Sequence, residues 1–164
     1  MRRHPDGRPI KDWRLVALFL AAAVVALDQI SKSLALSQLA PGQTMPWLPG
    51  LLQFQRVSNT GAAFSLLSGN SAGLGLISAL VTLLAAAWLL WKPPPRLWLA
   101  LAVAFLLAGA LGNGLDRWRL GSVVDFLEFV PIRFPIFNIA DVAINLAVAC
   151  FAIDWLRSGR HLDG

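Results

Sequence analysis

The 164-residue chain has no tyrosine, two histidines, one cysteine and nine acidic residues, and each shortage closes off a class of chemistry. With Cys150 alone, no internal disulfide can form and no thiolate cluster can hold a metal. Inside the last apolar run it reads as a small buried hydrophobe. His4 and His161 stand in opposite polar tails, so no histidine metal site is expected. Ser65, Ser68, Ser78 and Ser122 have no intramembrane histidine to activate them, and Gly-x-Ser-x-Gly, His-Glu-x-x-His and phosphate-cradling loops are all missing. Charge is scarce as well: 14% of residues are charged against 57% hydrophobic, and the mean hydropathy is +0.63. A soluble domain of this length is not composed that way. The formal charge of +5 does not point to nucleic acid, because the basic residues stand at the ends of apolar runs rather than in a stripe with interleaved aromatics.

What is present is four long apolar runs. Arg2, Arg3, Arg8, Lys11 and Arg14 precede the first, a basic start like that of a cleavable signal peptide. The helical pattern nevertheless continues past Asp28 to about Leu39, giving about 25 residues and about 37 Å of helix, which spans a bilayer with some tilt. The sequence therefore predicts an uncleaved first span over 15–39, then spans over 71–91, 97–115 and 139–156. Pro41, Gly42, Pro46, Pro49 and Gly50 break the chain after the first span; 51–57 suits a short extended segment before a turn at Asn59-Thr60-Gly61. The expected fold is an all-α polytopic membrane protein, one domain over 1–164. It has four transmembrane helices, a small extracytoplasmic β-like segment after the first, and a folded-back loop between the third and fourth. With the N-terminus inside, nine of the 14 Lys and Arg fall on the cytoplasmic side: five in the tail, then Lys92, Arg96, Arg157 and Arg160. Both termini are thus expected in the cytoplasm.

Against this apolar background the polar clusters need reasons. Asp28 and Lys32 lie at i and i+4, close enough to pair. They read either as a structural salt bridge or as support for a nearby site, with Lys32 snorkelling to a phospholipid head group. Asn59-Thr-Gly61-Ala-Ala-Phe64 is a turn that could also bind the backbone of an extended peptide. Gly109 and Gly112 have the small-x-x-small spacing of close helix approach. Asp116 and Arg117 come where the third span should leave the membrane and are explained by an interfacial ion pair.

Asp125 follows the extended-looking Ser122-Val-Val, and Pro131 and Pro135 forbid a continuous helix from there to Asp141. Asp141 lies three residues after Asn138, so on its own it reads equally as a helix-start carboxylate or as a catalyst. As a pair the two carboxylates converge on one membrane face from either side of the loop. Carboxylates in a poorly solvated site cannot both ionise cheaply; sharing one proton, they supply an acid and a base together.

Asp28-Gln-x-x-Lys32, Asn59-x-Gly-Ala-Ala-Phe64, Gly112-Asn-x-x-Asp-Arg117, Val123-Val-Asp-Phe126 and Phe134-Pro-x-Phe-Asn-x-Ala-Asp141, in that order along four spans, resemble bacterial lipoprotein signal peptidase, signal peptidase II. The resemblance covers about residues 13–156. It implies an intramembrane aspartyl endopeptidase of the bacterial inner membrane, active near the extracytoplasmic face. That enzyme cuts a prolipoprotein just before a cysteine carrying a diacylglyceryl group. It implies Asp125 and Asp141 as the catalytic dyad, with Asp28, Lys32, Asn59, Gly61, Asn113, Arg117, Asn138 and Ala140 at the recurrent supporting positions. Phe64, Phe126 and Phe137 are candidate walls for the lipid chains. Ala108 departs from the family pattern, standing where a first glycine of a Gly-Gly pair is common. The expected partners are the lipidated precursor and membrane phospholipid, with no nucleic acid; no cofactor is required, and the chain is expected to be a monomer. A small transporter and a non-enzymatic lipoprotein-binding protein are the competing readings; the lack of an inverted repeat and the polar cluster at one face argue against the transporter.

Overall fold

The computed structural model describes residues 12–61, 69–92, 94–132 and 134–159. Four helices carry the apolar runs: α1 Arg14–Gln38, α2 Ser71–Trp91, α3 Leu97–Leu120 and α4 Ile139–Gly159. Each is long and apolar enough to cross a membrane, since about 20 helical residues cover a hydrocarbon core of about 30 Å. Large side chains such as Phe19, Leu76, Leu83 and Val148 point outward on their surfaces, as lipid-facing residues must. The chain is a four-span polytopic membrane protein.

α3 is the central helix: 56% of its apolar window is buried, against 22–28% for the other three. Lipid tails are as apolar as leucine, so helices associate in a membrane by close packing, and small residues permit it. Ala100, Ala104 and Ala108 are fully buried on α3, and Ala108 belongs to a cluster with Ala17, Ala21, Ala85 and Leu89. Gly109 and Gly112 are the tightest approaches on α3. A Cβ at Gly109 would stand 2.5 Å from Ile144 Cγ1, and one at Gly112 would stand 2.7 Å from an Asp28 carboxylate oxygen and 3.1 Å from Ala140 Cβ. The small-x-x-small spacing thus seats α4 and α1 on α3. At the opposite end, Arg96 grips Asp154 through two bonds of 2.9 and 2.7 Å, and Arg157 lies 5.2 Å over the Trp98 ring. These ties fasten the start of α3 to the end of α4.

The predicted spans match within three residues except at the end of α3. That helix runs to Leu120 and stops at Gly121, whose φ of 74° gives a left-handed cap with its N–H on the Arg117 carbonyl. It continues five residues beyond the expected 115 because Asp116 is neutralised inside the protein rather than by water.

A three-stranded antiparallel sheet sits at the other end of the bundle from Arg96: β1 Thr44–Leu48, β2 Leu52–Asn59 and β3 Val123–Phe129, in that order. The expected segment at 51–57 is β2, and β1 was hidden by Pro46. On an edge strand a proline lacks only an N–H that faces away from the sheet. β2 pairs with β3 from Leu52↔Phe129 to Asn59↔Val123. After β3 the chain folds back: the N–H groups of Phe126 and Leu127 both donate to the Phe137 carbonyl, and Phe137 N donates to Leu127 O at 3.0 Å. That return delivers residues 138–141 beside Asp125.

Candidate active site

The site begins with a buried ammonium. Lys32 is 2% exposed, so it does not snorkel to the head groups; its three protons go to Asp28 (2.9 Å), Asp116 (2.9 Å) and the Asn113 carboxamide oxygen (3.0 Å). Asp28 comes from the same helix at i,i+4, whereas Asp116 and Asn113 come from α3. The two carboxylates each reach on to backbone. Asp28 accepts the Ala140 N–H at 2.9 Å, in the first turn of α4, and Asp116 accepts the Val124 N–H at 3.1 Å, next to Asp125. The expected Asp116–Arg117 ion pair is not formed. Successive helical residues point about 100° apart, so Asp116 turns to Lys32, while Arg117 donates to the Gly61 carbonyl at 2.9 Å.

An ammonium has donors only, which fixes the polarity of everything beyond it. Asn113 must turn its oxygen to Lys32, so its NH2 points the other way and donates to Asp141 at 2.8 Å. The same oxygen accepts from the Asn138 NH2 at 3.1 Å, and that NH2 also donates to Asp125 at 2.7 Å. Asp125 takes a second donor, Asn59, at 2.9 Å. Asn59 in turn accepts the Gly61 N–H, closing the turn at the end of β2.

Asn138 joins the two carboxylates. Its oxygen accepts the Asp141 N–H at 2.9 Å, and its own N–H donates to Asp141 at 3.1 Å, a reciprocal box that starts α4. The capping role of Asp141 is therefore real, yet it occupies one carboxylate oxygen only; the other meets Asn113. The same Asn138 side chain holds Asp125 by its NH2. Burial, and next the charge of Asp141, push the Asp125 carboxyl up to about 6, with Asn59, Asn138 and Lys32 pulling the other way. Such a carboxyl can hold or give up a proton near neutrality.

All ten residues singled out from the sequence are in this network, Ala140 through its backbone N–H and its fit against Gly112. Phe64 lies outside the described residues. Phe126 is not a wall of the site: it is 5% exposed, packs on Ala35 and Leu39 and stacks on Phe54, because neighbours on a strand face opposite sides. Phe137 is half-buried, edge-on to Phe134 at 5.7 Å. Two contributors were missed in the sequence: Gln29, which was left unassigned, and Asp116, which was read as an ion-pair partner of Arg117. The Gln29 amide donates to Asp28, Asp116 and the Gly112 carbonyl at 3.1–3.2 Å. Both stood inside quoted motifs, and the i,i+3 spacing of Asn113 and Asp116 was the available signal.

Four membrane helices with a dense, amide-linked carboxylate centre at one end define a polytopic membrane protein built around a polar site. Comparison narrows that class. A family profile described as Signal peptidase (SPase) II matches residues 20–157. The chain is 56% identical to the lipoprotein signal peptidase of Parasynechococcus marenigrum (strain WH8102) over 90% of this chain and 95% of that one. It is 50% identical to that of Synechococcus sp. (strain RCC307) over 88% and 96%. A solved bacterial membrane enzyme, determined by the in meso method at 2.3 Å resolution, superposes with a TM-score of 0.81 at 30% identity, covering 88% of this chain and 89% of the other. The chain belongs to the signal peptidase II family and is a membrane peptidase of that family.

Proposed function

We propose that the chain is an aspartyl endopeptidase that removes the signal peptide from diacylglyceryl-modified prolipoproteins, cutting just before the lipidated cysteine. The observation that carries this reading is the position of Asp125 and Asp141, brought from β3 and α4 onto the single residue Asn138, Asp125 on its side-chain NH2 and the Asp141 carboxylate on its backbone N–H. The pair shares one proton. The ionised carboxylate takes a proton from a water between them as its oxygen attacks the scissile carbonyl carbon, and the protonated carboxyl gives its proton to the carbonyl oxygen. The tetrahedral diol then collapses: the proton first taken from water passes to the leaving nitrogen as the C–N bond breaks, and one diol hydroxyl returns its proton to the other carboxylate, so that the pair again holds one proton. Lys32, Asn113 and Asn138 fix both carboxylates, and Asn59 and Gly61 present the end of β2 to the extended peptide. Both termini lie in the cytoplasm and the site near the extracytoplasmic face, supported by the nine-to-five division of basic residues.

The test is cleavage of purified lipidated precursor. Asp125→Asn and Asp141→Asn each keep size and one of the two hydrogen bonds that the carboxylate accepts but cannot cycle a proton, so each should abolish cleavage while precursor still binds. The double variant should be no worse than either single one. Asp154→Asn, at the Arg96 end of the bundle, should keep cleaving. Turnover by either single dyad variant, with deamidation ruled out by mass spectrometry, sinks the aspartyl mechanism.

A further inference from the structure

A cavity of about 490 Å³ opens between α1 and α3, lined on α1 by Leu18, Ala21, Ala22, Val25 and Ala26 and floored by α3 side chains. Its lining is apolar except for Gln29, which closes one end. From Leu18 to Gln29 the helix rises about 16 Å, close to the hydrocarbon depth of one leaflet, about half of 30 Å. Immediately beyond Gln29 stands Arg119, exposed, with one guanidinium N–H 3.4 Å from the Gln29 oxygen. Among the described residues no carboxylate pairs with it. The groove therefore has an acyl-chain length, an acyl-chain lining and, at the head-group end, an uncompensated cation.

We propose that this groove is a binding site for one anionic phospholipid, with an acyl chain between α1 and α3 and its phosphate on Arg119. Gln29 gives the site a consequence. Its oxygen faces Arg119 and its amide holds Asp28 and Asp116, so the lipid sits against the group that orients both carboxylates on Lys32. The occupant is a resident of the bilayer rather than the substrate, since neither Asp125 nor Asp141 lines the groove.

Native mass spectrometry of the full chain, extracted from vesicles of phosphatidylcholine mixed with phosphatidylglycerol, reads the site directly. Wild type should retain one phosphatidylglycerol in preference to phosphatidylcholine. Arg119→Gln should reduce that preference about fivefold, the worth of one basic residue at an anionic surface. Ala22→Trp, which fills the groove, should remove the bound lipid; Ala26→Phe serves as a second filling variant, and circular dichroism checks that both fold. Equal retention of the two lipids by wild type, or a bound lipid undisturbed by both filling variants, overturns the proposal. Displacement of phosphatidylglycerol by lipidated precursor would assign the groove to substrate, and a dimer lost on filling would assign it to a second copy; either result also overturns it. None of these readouts depends on cleavage, so the proposal and the aspartyl mechanism fail separately.

Discussion

Removing the ammonium of Lys32 is the most informative perturbation of the centre. Lys32 serves two carboxylates that are 0% and 3% exposed, Asp28 and Asp116, so the cluster holds two negative charges on one positive. Lys32→Met strands both, and breaking a buried pair in this way costs about 3–5 kcal/mol. Asp116→Asn leaves a balanced Asp28–Lys32 pair and loses one charged hydrogen bond, about 1.5–3 kcal/mol. The melting temperatures should therefore fall on the order of 10 °C and roughly 5 °C respectively. The charge count makes a sharper statement: adding Asp28→Asn to Lys32→Met should raise stability, because it removes one of two stranded charges. Cys150, the only cysteine and 6% exposed, supplies the assay, since a thiol-reactive fluorophore labels it only as the helices separate on heating. If Lys32→Met melts no lower than Asp116→Asn, or the added Asp28→Asn lowers stability further, the cluster is not held by charge balance.

Three further outcomes follow from the geometry. Asp125 has a folded value of about 6 against an ordinary 3.8, so the folded protein binds that proton more tightly than the unfolded chain. The stability this confers is full below 3.8 and is lost as pH rises through about 6; Asp125→Asn should gain on wild type by at most about 3 kcal/mol above that point and by nothing near pH 3, read as melting temperature against pH. Gly112→Ala places a methyl 2.7 Å from the Asp28 carboxylate and should cost about 1–3 kcal/mol together with cleavage, whereas Gly114→Ala, whose nearest neighbour is Ser78 Cβ at 3.1 Å, should be milder in both assays. Reporter fusions after Lys92 and Gly164 should score cytoplasmic and one after Gly69 extracytoplasmic; an extracytoplasmic C-terminus would refute the topology.

The helices were legible where local chemistry sets their limits. α2 begins at Ser71, after an Asn70 side chain that accepts the Gly73 N–H, and ends at Trp91 before the proline run, and both ends were readable. The end of α3 was not, because hydropathy assigns Asp116 to water, and its neutralising partner lies on another helix. The same distance effect misassigned Lys32, whose length suggests snorkelling until three oxygens are seen around it. Asp125 and Asp141 were readable as unusual carboxylates, and Asn138 as a cap. That one asparagine would cap α4 and hold Asp125 at once depends on the Leu127–Phe137 return, which no local pattern encodes.

The i,i+4 spacing of Asp28 and Lys32 also bears on how the chain is made. Asn113 follows Lys32 by 81 residues, so at 5–20 residues per second α1 waits roughly 4–16 s for α3 to be synthesised. During that interval the helix must leave the translocon with an ammonium and no external counterion. Asp28, one turn away and 2.9 Å from it, lets α1 enter lipid with that ammonium already paired. Asp141 and Asn138 are translated later still, so the nascent chain carries no assembled pair of carboxylates while its earlier segments are being threaded.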